Sequence, residues 1–170
     1  MGYIMVDVET DGPIPGDYSM IAIGAVSVDR PENRFLVKLA PISDRYQAEA
    51  LTVSGHTREQ TLGFPDPKIG MSMFLEWVKV IGGARPLFIS DNNGFDYMFV
   101  SWYFHHFLGF DPFGHTSTNL GSLYKGLVKT CFKNFKHLRV TRHTHNPVDD
   151  AMGNVEALLH MEKEMGLRIR

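Results

Sequence analysis

The stretch that most restricts how this chain can fold is residues 3–11, Tyr-Ile-Met-Val-Asp-Val-Glu-Thr-Asp. Apolar and polar residues alternate along it and a Gly-Pro pair follows it, which predicts a β-strand. Because side chains two positions apart share one face of a strand, Asp7 and Glu9 would lie side by side, about 6–7 Å apart. Two carboxylates on so apolar a strand repel each other and are costly to desolvate, and a divalent cation would relieve both penalties. The alternative is an edge strand with a solvated acidic face.

Composition restricts the class of protein more than its function. The 170 residues are 44% hydrophobic and 21% charged, so we expect one globular domain over residues 1–170. The net charge of −2 gives no overall sign of nucleic-acid binding. The single cysteine, Cys131, excludes a disulfide framework and a cysteine zinc site. Since no apolar run reaches the ~18 residues of a membrane span and no signal-peptide pattern precedes the first strand, we expect a cytoplasmic protein with no membrane partner.

Hydrophobic periodicity along the rest of the chain predicts an α/β layered domain. Strands at 19–28 and 34–39 would form a hairpin, so that three N-terminal strands run antiparallel. A short buried strand is expected at 86–90. The predicted helices, which would flank this mixed sheet, are pieces within 46–62 and longer helices at 68–81, 94–108, 119–132 and 147–165.

A third candidate carboxylate is Asp96, in the first turn of the predicted helix at 94–108. As a plain helix-terminal charge it would gain about 0.3–1 kcal/mol from the helix dipole. Three aromatic residues near Asp96 weaken that interpretation, because they leave the carboxylate few hydrated neighbours. They are Phe95, Phe99 and Trp102.

A fourth candidate lies at the start of the last helix. Asn146 suits the N-cap and Pro147 the first helical position. Asp149 then supports the helix start as an ordinary acidic residue, and we interpret it as structural. Asp150, one position further, turns toward the edge of the buried face, and we interpret it as a ligand.

Two histidines precede this helix in a His-x-His pattern. His145 lies in a loop from which it could reach a bound water. His143 is more simply explained as a capping or surface residue. The pattern could instead indicate a zinc hydrolase, but no acidic residue follows at the tight spacing that such sites usually have.

These residues together resemble the DEDD superfamily of 3′→5′ exonucleases. The order Asp7-x-Glu9, Asp96, His145-x4-Asp150 matches its motifs, and the histidine indicates the branch with His in the third motif. The opening Asp-Val-Glu-Thr-Asp-Gly and the segment 49–55 are also similar to that family. Within it, the Asp-Gly-Pro-x-Pro-Gly loop and the Arg-His-Thr-His-Asn-Pro-Val-Asp-Asp-Ala segment resemble small bacterial exoribonucleases related to ribonuclease T.

The resemblance implies a ribonuclease H-like fold and a two-metal hydrolase. Two divalent cations, Mg²⁺ or alternatively Mn²⁺, would be held by Asp7, Glu9, Asp96 and Asp150, whose hard oxygen atoms suit those metals better than zinc. His145 would take a proton from the attacking water, since imidazole can accept one near neutral pH. The product would be a nucleoside 5′-monophosphate released from the 3′ end.

The resemblance also indicates the partners of the protein. It favours RNA over DNA, as a single strand or a 3′ overhang, and it implies a homodimer. Thr10, which follows the acidic pair, could contact the terminal nucleotide, and Asn92 could position a sugar or phosphate. Alternatively, Thr10 is simply a strand residue and Asn92 simply forms a turn.

A cationic stretch near the C-terminus is a candidate surface for phosphates. Between Asp111 and Asp149 there is no acidic residue, and the interval carries six cations: Lys125, Lys129, Lys133, Lys136, Arg139 and Arg142. The three lysines spaced four apart would share one helix face, which could equally be only a solvated face. Phe132 and Phe135 could stack on unpaired bases or belong to the core.

Three further functions remain open from the residues alone. DNA-directed members of the family have the same catalytic residues, and no residue visibly recognises a 2′-hydroxyl. A non-catalytic nucleic-acid-binding module could have the same fold. A phosphoesterase acting on small nucleotides would have little need of the cationic stretch.

Overall fold

The computed structural model describes residues 2–169. Across these residues five strands form one sheet in the order β3-β2-β1-β4-β5. The strands are β1 (Gly2–Thr10), β2 (Met20–Ser27), β3 (Arg34–Lys38), β4 (Pro86–Ser90) and β5 (Ser117–Asn119). β1 pairs antiparallel with β2 and parallel with β4, so it lies at the centre of the sheet. The predicted mixed sheet is therefore confirmed, and the edge-strand alternative for the acidic pair is excluded.

Helices cover both faces of this sheet, which confirms the predicted α/β architecture. They are α1 (Ala48–Val53), α2 (Arg58–Leu62), α3 (Pro67–Gly82), α4 (Asn93–Leu108), α5 (Leu120–Leu127) and α6 (Pro147–Glu164), with a 3₁₀ turn at Lys136–Leu138. One core cluster joins the sheet to α3 and α4, and a second joins it to α5 and α6. Within residues 2–169, no helix has both the length and the apolar character needed to cross a bilayer.

The alternation along β1 decides which way its acidic residues face. Ile4, Val6 and Val8 pack into the cluster with α3 and α4. Met5 packs into the opposite cluster, with α6. Because Asp7 and Glu9 share the face of Met5, they project toward the side of the sheet that α6 covers.

Local capping fixes where α6 begins. The side chain of Asn146 accepts a hydrogen bond from the backbone N–H of Val148 at 3.1 Å, and Pro147 is the first helical residue. These two predicted positions are confirmed. Because the helix begins at Pro147, Asp150 lies in its first turn.

The predicted helix at 119–132 was wrong in its length, and β5 was missed. α5 ends at Leu127 because Lys129 adopts a left-handed backbone (φ 54°) and the N–H of Thr130 returns to the carbonyl of Lys125 at 3.1 Å. This is a Schellman-type helix ending, most often formed by glycine. The lysines at 125, 129 and 133 therefore do not share one helix face. β5 is only Ser-Thr-Asn, which lacks the apolar signal of a strand.

Candidate active site

Three carboxylates meet near the C-terminal end of the central strand. Asp7 and Glu9 come from β1, and Asp150 comes from the first turn of α6. One oxygen from each lies within 4.8 Å of the others. Residues more than 140 positions apart in the chain are thus brought to one point by the packing of α6 on the sheet.

This packing depends on a glycine in the neighbouring strand. Gly24 on β2 is the direct register partner of Asp7. A Cβ added to Gly24 would lie 2.3 Å from the carbonyl carbon of Pro147 and 2.4 Å from the backbone nitrogen of Val148. Only a residue without a side chain allows the first turn of α6, and with it Asp150, to come this close to the acidic pair.

Asp150 is buried and anchors the loop that precedes its helix. Its Oδ1 accepts the backbone N–H of Thr144 at 3.0 Å, and its Oδ2 accepts that of His145 at 3.1 Å. Nδ1 of His143 also lies 2.8 Å from Oδ2. The backbone of His145 is left-handed (φ 60°), a conformation that these hydrogen bonds hold in place.

Asp96 approaches the same point from α4 and is also buried. Burial raises its pKa to about 7, while the hydroxyl of Ser90 and backbone groups at Asn92 and Val8 act in the opposite direction. Val8 separates Asp7 from Glu9, so Asp96 interacts with the same part of β1. We call Asp7, Glu9, Asp96 and Asp150 the carboxylate cluster.

The cluster holds more negative charge than its surroundings neutralise. Burial raises the pKa of Asp7 well above its usual range, and the charges of Asp96, Glu9 and Asp150 raise it further, with Arg139 opposing them. Burial, then Asp150 and Asp96, raise the pKa of Glu9 to about 8. A bound divalent cation would remove both penalties, and a set of carboxylate oxygens is the donor set that Mg²⁺ and Mn²⁺ prefer.

We expect the metal-free protein to lose stability as the pH rises. The pKa of Glu9 is raised from 4.5 to about 8, so the folded state binds the proton more tightly than the unfolded state does. Its stabilising contribution is therefore complete below about pH 4.5 and is lost as the pH passes through about 8. In EDTA the melting temperature should fall across this interval, and saturating Mg²⁺ should remove most of the fall. A Glu9→Gln variant should show a shallower fall in EDTA, and an unchanged slope in that variant would contradict the assignment.

His145 lies at the rim of a cavity beside the cluster. The cavity has a volume of about 220 Å³, and both Glu9 and His145 line it. His145 is exposed, so its imidazole can reach solvent that enters this space. The rest of the lining comes from β2, from β3, from the end of α1 and from the start of α6 with the loop before it: Ala22, Leu36, Lys38, Ser54, His56, Thr144, Asn146 and Pro147.

Comparison with known proteins identifies the family. The sequence model of a family described as Exonuclease (RNase_T) matches residues 4–158. This chain belongs to the exonuclease family. The 3′–5′ DNA exonuclease Cap18 of Escherichia coli is 38% identical over 128 residues, which are 74% of this chain and 68% of that protein.

Solved structures agree with the exonuclease fold. E. coli exonuclease I in complex with a dT13 oligonucleotide superposes with a TM-score of 0.75 at 15% identity, over 96% of this chain and 41% of that one. The cell-death related nuclease 4 (CRN-4) superposes with a TM-score of 0.73 at 15% identity, over 95% of this chain and 63% of that one. This chain thus spans less than half the length of exonuclease I.

Replacing Gly24 with alanine should move Asp150 away from Asp7 and Glu9 and so lower nuclease activity. The new methyl group would force α6 away from β2, and a misplacement of about 1 Å in a catalytic group can cost about a hundredfold in rate. Overpacking should also lower the stability by about 1–3 kcal/mol. The control is Gly126→Ala, where the added Cβ meets no heavy atom within 4 Å. Equal rates for the two variants, measured as initial rates of nucleotide release, would show that the close approach is not needed.

Some of the predicted substrate-binding residues are exposed to solvent, and others already form hydrogen bonds within the protein. The Thr10 hydroxyl is buried and donates to the carbonyl of Gly12 at 2.9 Å. Asn92 is exposed and its side chain does not cap α4. Lys125, Lys129 and Arg142 are exposed.

The two phenylalanines of the cationic stretch have different environments. Phe135 is buried in the core beside Tyr124. Phe132 is 98% exposed, and it lines one surface cavity together with Lys125 and Lys129. Of the two, Phe132 is the one that can stack on a base.

Arg139 is held inside the site. Its guanidinium forms an ion pair with Asp91 at 2.9 Å and donates to Asn154, and its side chain is 8% exposed. The prediction that Arg139 contacts substrate is not supported by this placement, because its Nη2 group is already engaged. It instead supplies a positive charge near Asp7 and links the loop before α4 to α6.

Sequence reasoning missed three features of the site. An isolated glycine in an apolar strand, as at Gly24, was an available signal for close backbone approach. The ion pair of Arg139 with Asp91 joins residues 48 positions apart, and no local pattern indicates it. His143 was interpreted as a surface or capping residue, but its Nδ1 is in contact with Asp150.

Proposed function

We propose that this chain is a metal-dependent 3′→5′ exonuclease that hydrolyses the terminal phosphodiester bond of single-stranded nucleic acid and releases nucleoside 5′-monophosphates. The observation that carries this proposal is the meeting of Asp7, Glu9 and Asp150 within 4.8 Å, with buried Asp96 interacting with the same strand. The direction of hydrolysis is supported by the similarity to the 3′–5′ DNA exonuclease Cap18.

The donor set supports a pair of hard divalent cations. Asp7, Glu9 and Asp150 would hold one cation, and Asp7 with Asp96 would hold or face the other. When bound, such cations supply the positive charge that stabilises the attacking and leaving oxygen atoms of the displacement at phosphorus. The residues themselves provide a fixed, buried set of carboxylate oxygens. Because these carboxylates repel one another, binding of a cation between them is favoured.

His145 is proposed as the general base. It lies on the rim of the cavity that Glu9 also lines, where a water and the terminal phosphate can enter together. Asp150 fixes its position through the backbone N–H of His145, which leaves the imidazole free to accept a proton from the attacking water.

The sugar of the substrate has two candidates. The similarity to Cap18, which is a DNA exonuclease, favours DNA. The resemblance of the motifs to ribonuclease T-like enzymes favours RNA, and that prediction stays untested. A surface formed by Lys125, Lys129 and Phe132 would bind the phosphates and bases of the strand, and Arg142, which is exposed beside a separate cavity, would add a further cation. As a dimer, the protein would present this surface to the active site of its partner.

The proposal is tested with matched DNA and RNA oligonucleotides labelled at either end. A 5′ label should give a descending ladder in Mg²⁺, a 3′ label should give mononucleotide at once, and EDTA should stop both. Asp150→Asn should be inactive, whereas the adjacent Asp149→Asn should retain activity, which excludes a contaminating nuclease. Binding without cleavage would favour the non-catalytic module, and cleavage of dinucleotides alone would favour the small-nucleotide phosphoesterase.

A further inference from the structure

The His-x-His pattern places a second set of ligand atoms beside the carboxylate cluster. Nδ1 of His143 lies 2.8 Å from Oδ2 of Asp150. The rings of His143 and His145 meet edge to face with their centroids 4.3 Å apart. One ligand atom from each of the three residues lies within 4.8 Å of the others. His143 has no part in the hydrolysis proposed above.

The chemistry of this set differs from that of the carboxylate cluster. Two imidazole nitrogens and one carboxylate oxygen form a three-residue donor set that Zn²⁺ accepts, with a fourth position left for water. The carboxylate cluster offers only hard oxygens, which suit Mg²⁺. Imidazole favours the later divalent transition metals, so the two sets should select different cations.

The loop that carries the histidines is held at both ends. Glu156 on α6 accepts the backbone N–H of Val140 at 2.8 Å and that of Thr141 at 2.6 Å. Asp150 accepts the N–H groups of Thr144 and His145 at the other end. Both rings are therefore presented from a fixed segment, which lowers the entropic cost of bringing them onto one ion.

The contact between His143 and Asp150 needs only a small adjustment. Two ligands at about 2.0–2.1 Å from a tetrahedral Zn²⁺ are about 3.3 Å apart. The present separation is 2.8 Å, and the His143 side chain is 52% exposed, so it can withdraw toward solvent. Nδ1 would bind the ion through its lone pair, so the ring proton would have to be carried by Nε2.

We propose that His143, His145 and Asp150 form an inhibitory site for Zn²⁺ or a similar transition metal. Zn²⁺ there would engage the imidazole of His145 and a carboxylate oxygen of Asp150, both of which the proposed hydrolysis requires. Binding of Zn²⁺ stands on the geometry alone, whereas inhibition rests on the proposed function. The protein would thus be active with Mg²⁺ and switched off when Zn²⁺ is available.

The binding test measures the affinity for Zn²⁺ by calorimetry and the visible absorption of bound Co²⁺. Both are measured for wild type, His143→Ala and His160→Ala. His160 is an exposed histidine on α6 away from the cluster of rings, so it serves as the matched control. Wild type and His160→Ala should bind Zn²⁺ and give the intense absorption of tetrahedral Co²⁺. His143→Ala should bind Zn²⁺ about tenfold more weakly or worse and lose that absorption. Identical binding in all three proteins would overturn the site.

The inhibition test titrates Zn²⁺ into reactions at saturating Mg²⁺, with each protein compared to its own uninhibited rate. The Zn²⁺ concentration for half inhibition should rise about tenfold or more in His143→Ala and stay unchanged in His160→Ala. Equal sensitivity would mean that Zn²⁺ acts only by displacing Mg²⁺ from the carboxylate cluster, which overturns the inhibitory role. If wild type has no nuclease activity, the proposed function fails while the binding test still decides the site.

Discussion

Replacing Asp7 with asparagine is expected to abolish hydrolysis and to make the metal-free protein more stable. Asp7 is the carboxylate on which burial and the charges of Glu9, Asp96 and Asp150 all act, and together they raise its pKa well above its usual range. Above that pKa its ionised form opposes folding, whereas asparagine has a similar shape and no charge. Loss of a cation ligand removes several kcal/mol of transition-state stabilisation, which is about a thousandfold or more in rate.

Melting curves and rates measured on the same preparations test both halves of this expectation. At about pH 8 in EDTA, Asp7→Asn should melt several degrees above wild type, because asparagine removes a carboxyl group whose ionisation is opposed by burial and by the neighbouring carboxylates. Added Mg²⁺ should raise the melting temperature of wild type and leave that of the variant nearly unchanged. The control, Asp149→Asn, should follow wild type in both measurements. A variant that melts lower in EDTA and still responds to Mg²⁺ would show that Asp7 is not part of a cation site.

The parts of the site that the sequence predicted are those governed by local periodicity. Alternation along β1 places Asp7 and Glu9 on one face because adjacent strand residues point in opposite directions. The capping residues before α6 fix the helical phase, and that phase distinguishes buried Asp150 from Asp149. Each of these predictions depends on fewer than ten residues of sequence, within which backbone geometry is nearly fixed.

The parts that the sequence did not predict depend on contacts between distant segments. Arg139 appeared to belong to a cationic surface, but Asp91 and Asn154 draw its guanidinium inside. α5 should have continued by periodicity, but Lys129 takes the left-handed conformation that ends the helix. Only the packed structure shows that the cationic stretch contains both an internal charge and an exposed surface.

Removing the imidazole of His145 is expected to lower the rate without removing the cation site. A positioned general base contributes about a hundredfold to ten-thousandfold, so kcat should fall by that factor while KM changes little. Asparagine is the appropriate replacement because it tolerates the left-handed backbone observed at this position (φ 60°) and still presents its N–H to Asp150. Unlike Asp7→Asn, this variant should keep the rise in melting temperature that Mg²⁺ causes.

A second variant, His145→Gly, separates loss of the base from a change in the loop. Glycine also accepts a positive φ, and it leaves space at the rim of the cavity for a free imidazole molecule. Added imidazole should therefore restore part of the rate of His145→Gly and none of the rate of Asp7→Asn, since only the former lacks a proton acceptor. His137→Ala, at an exposed histidine in the 3₁₀ turn, serves as the control and should match wild type. If His145→Asn hydrolyses at the wild-type rate, the proton must be taken by another group, and the cations of the carboxylate cluster would then have to activate the water without a side-chain base.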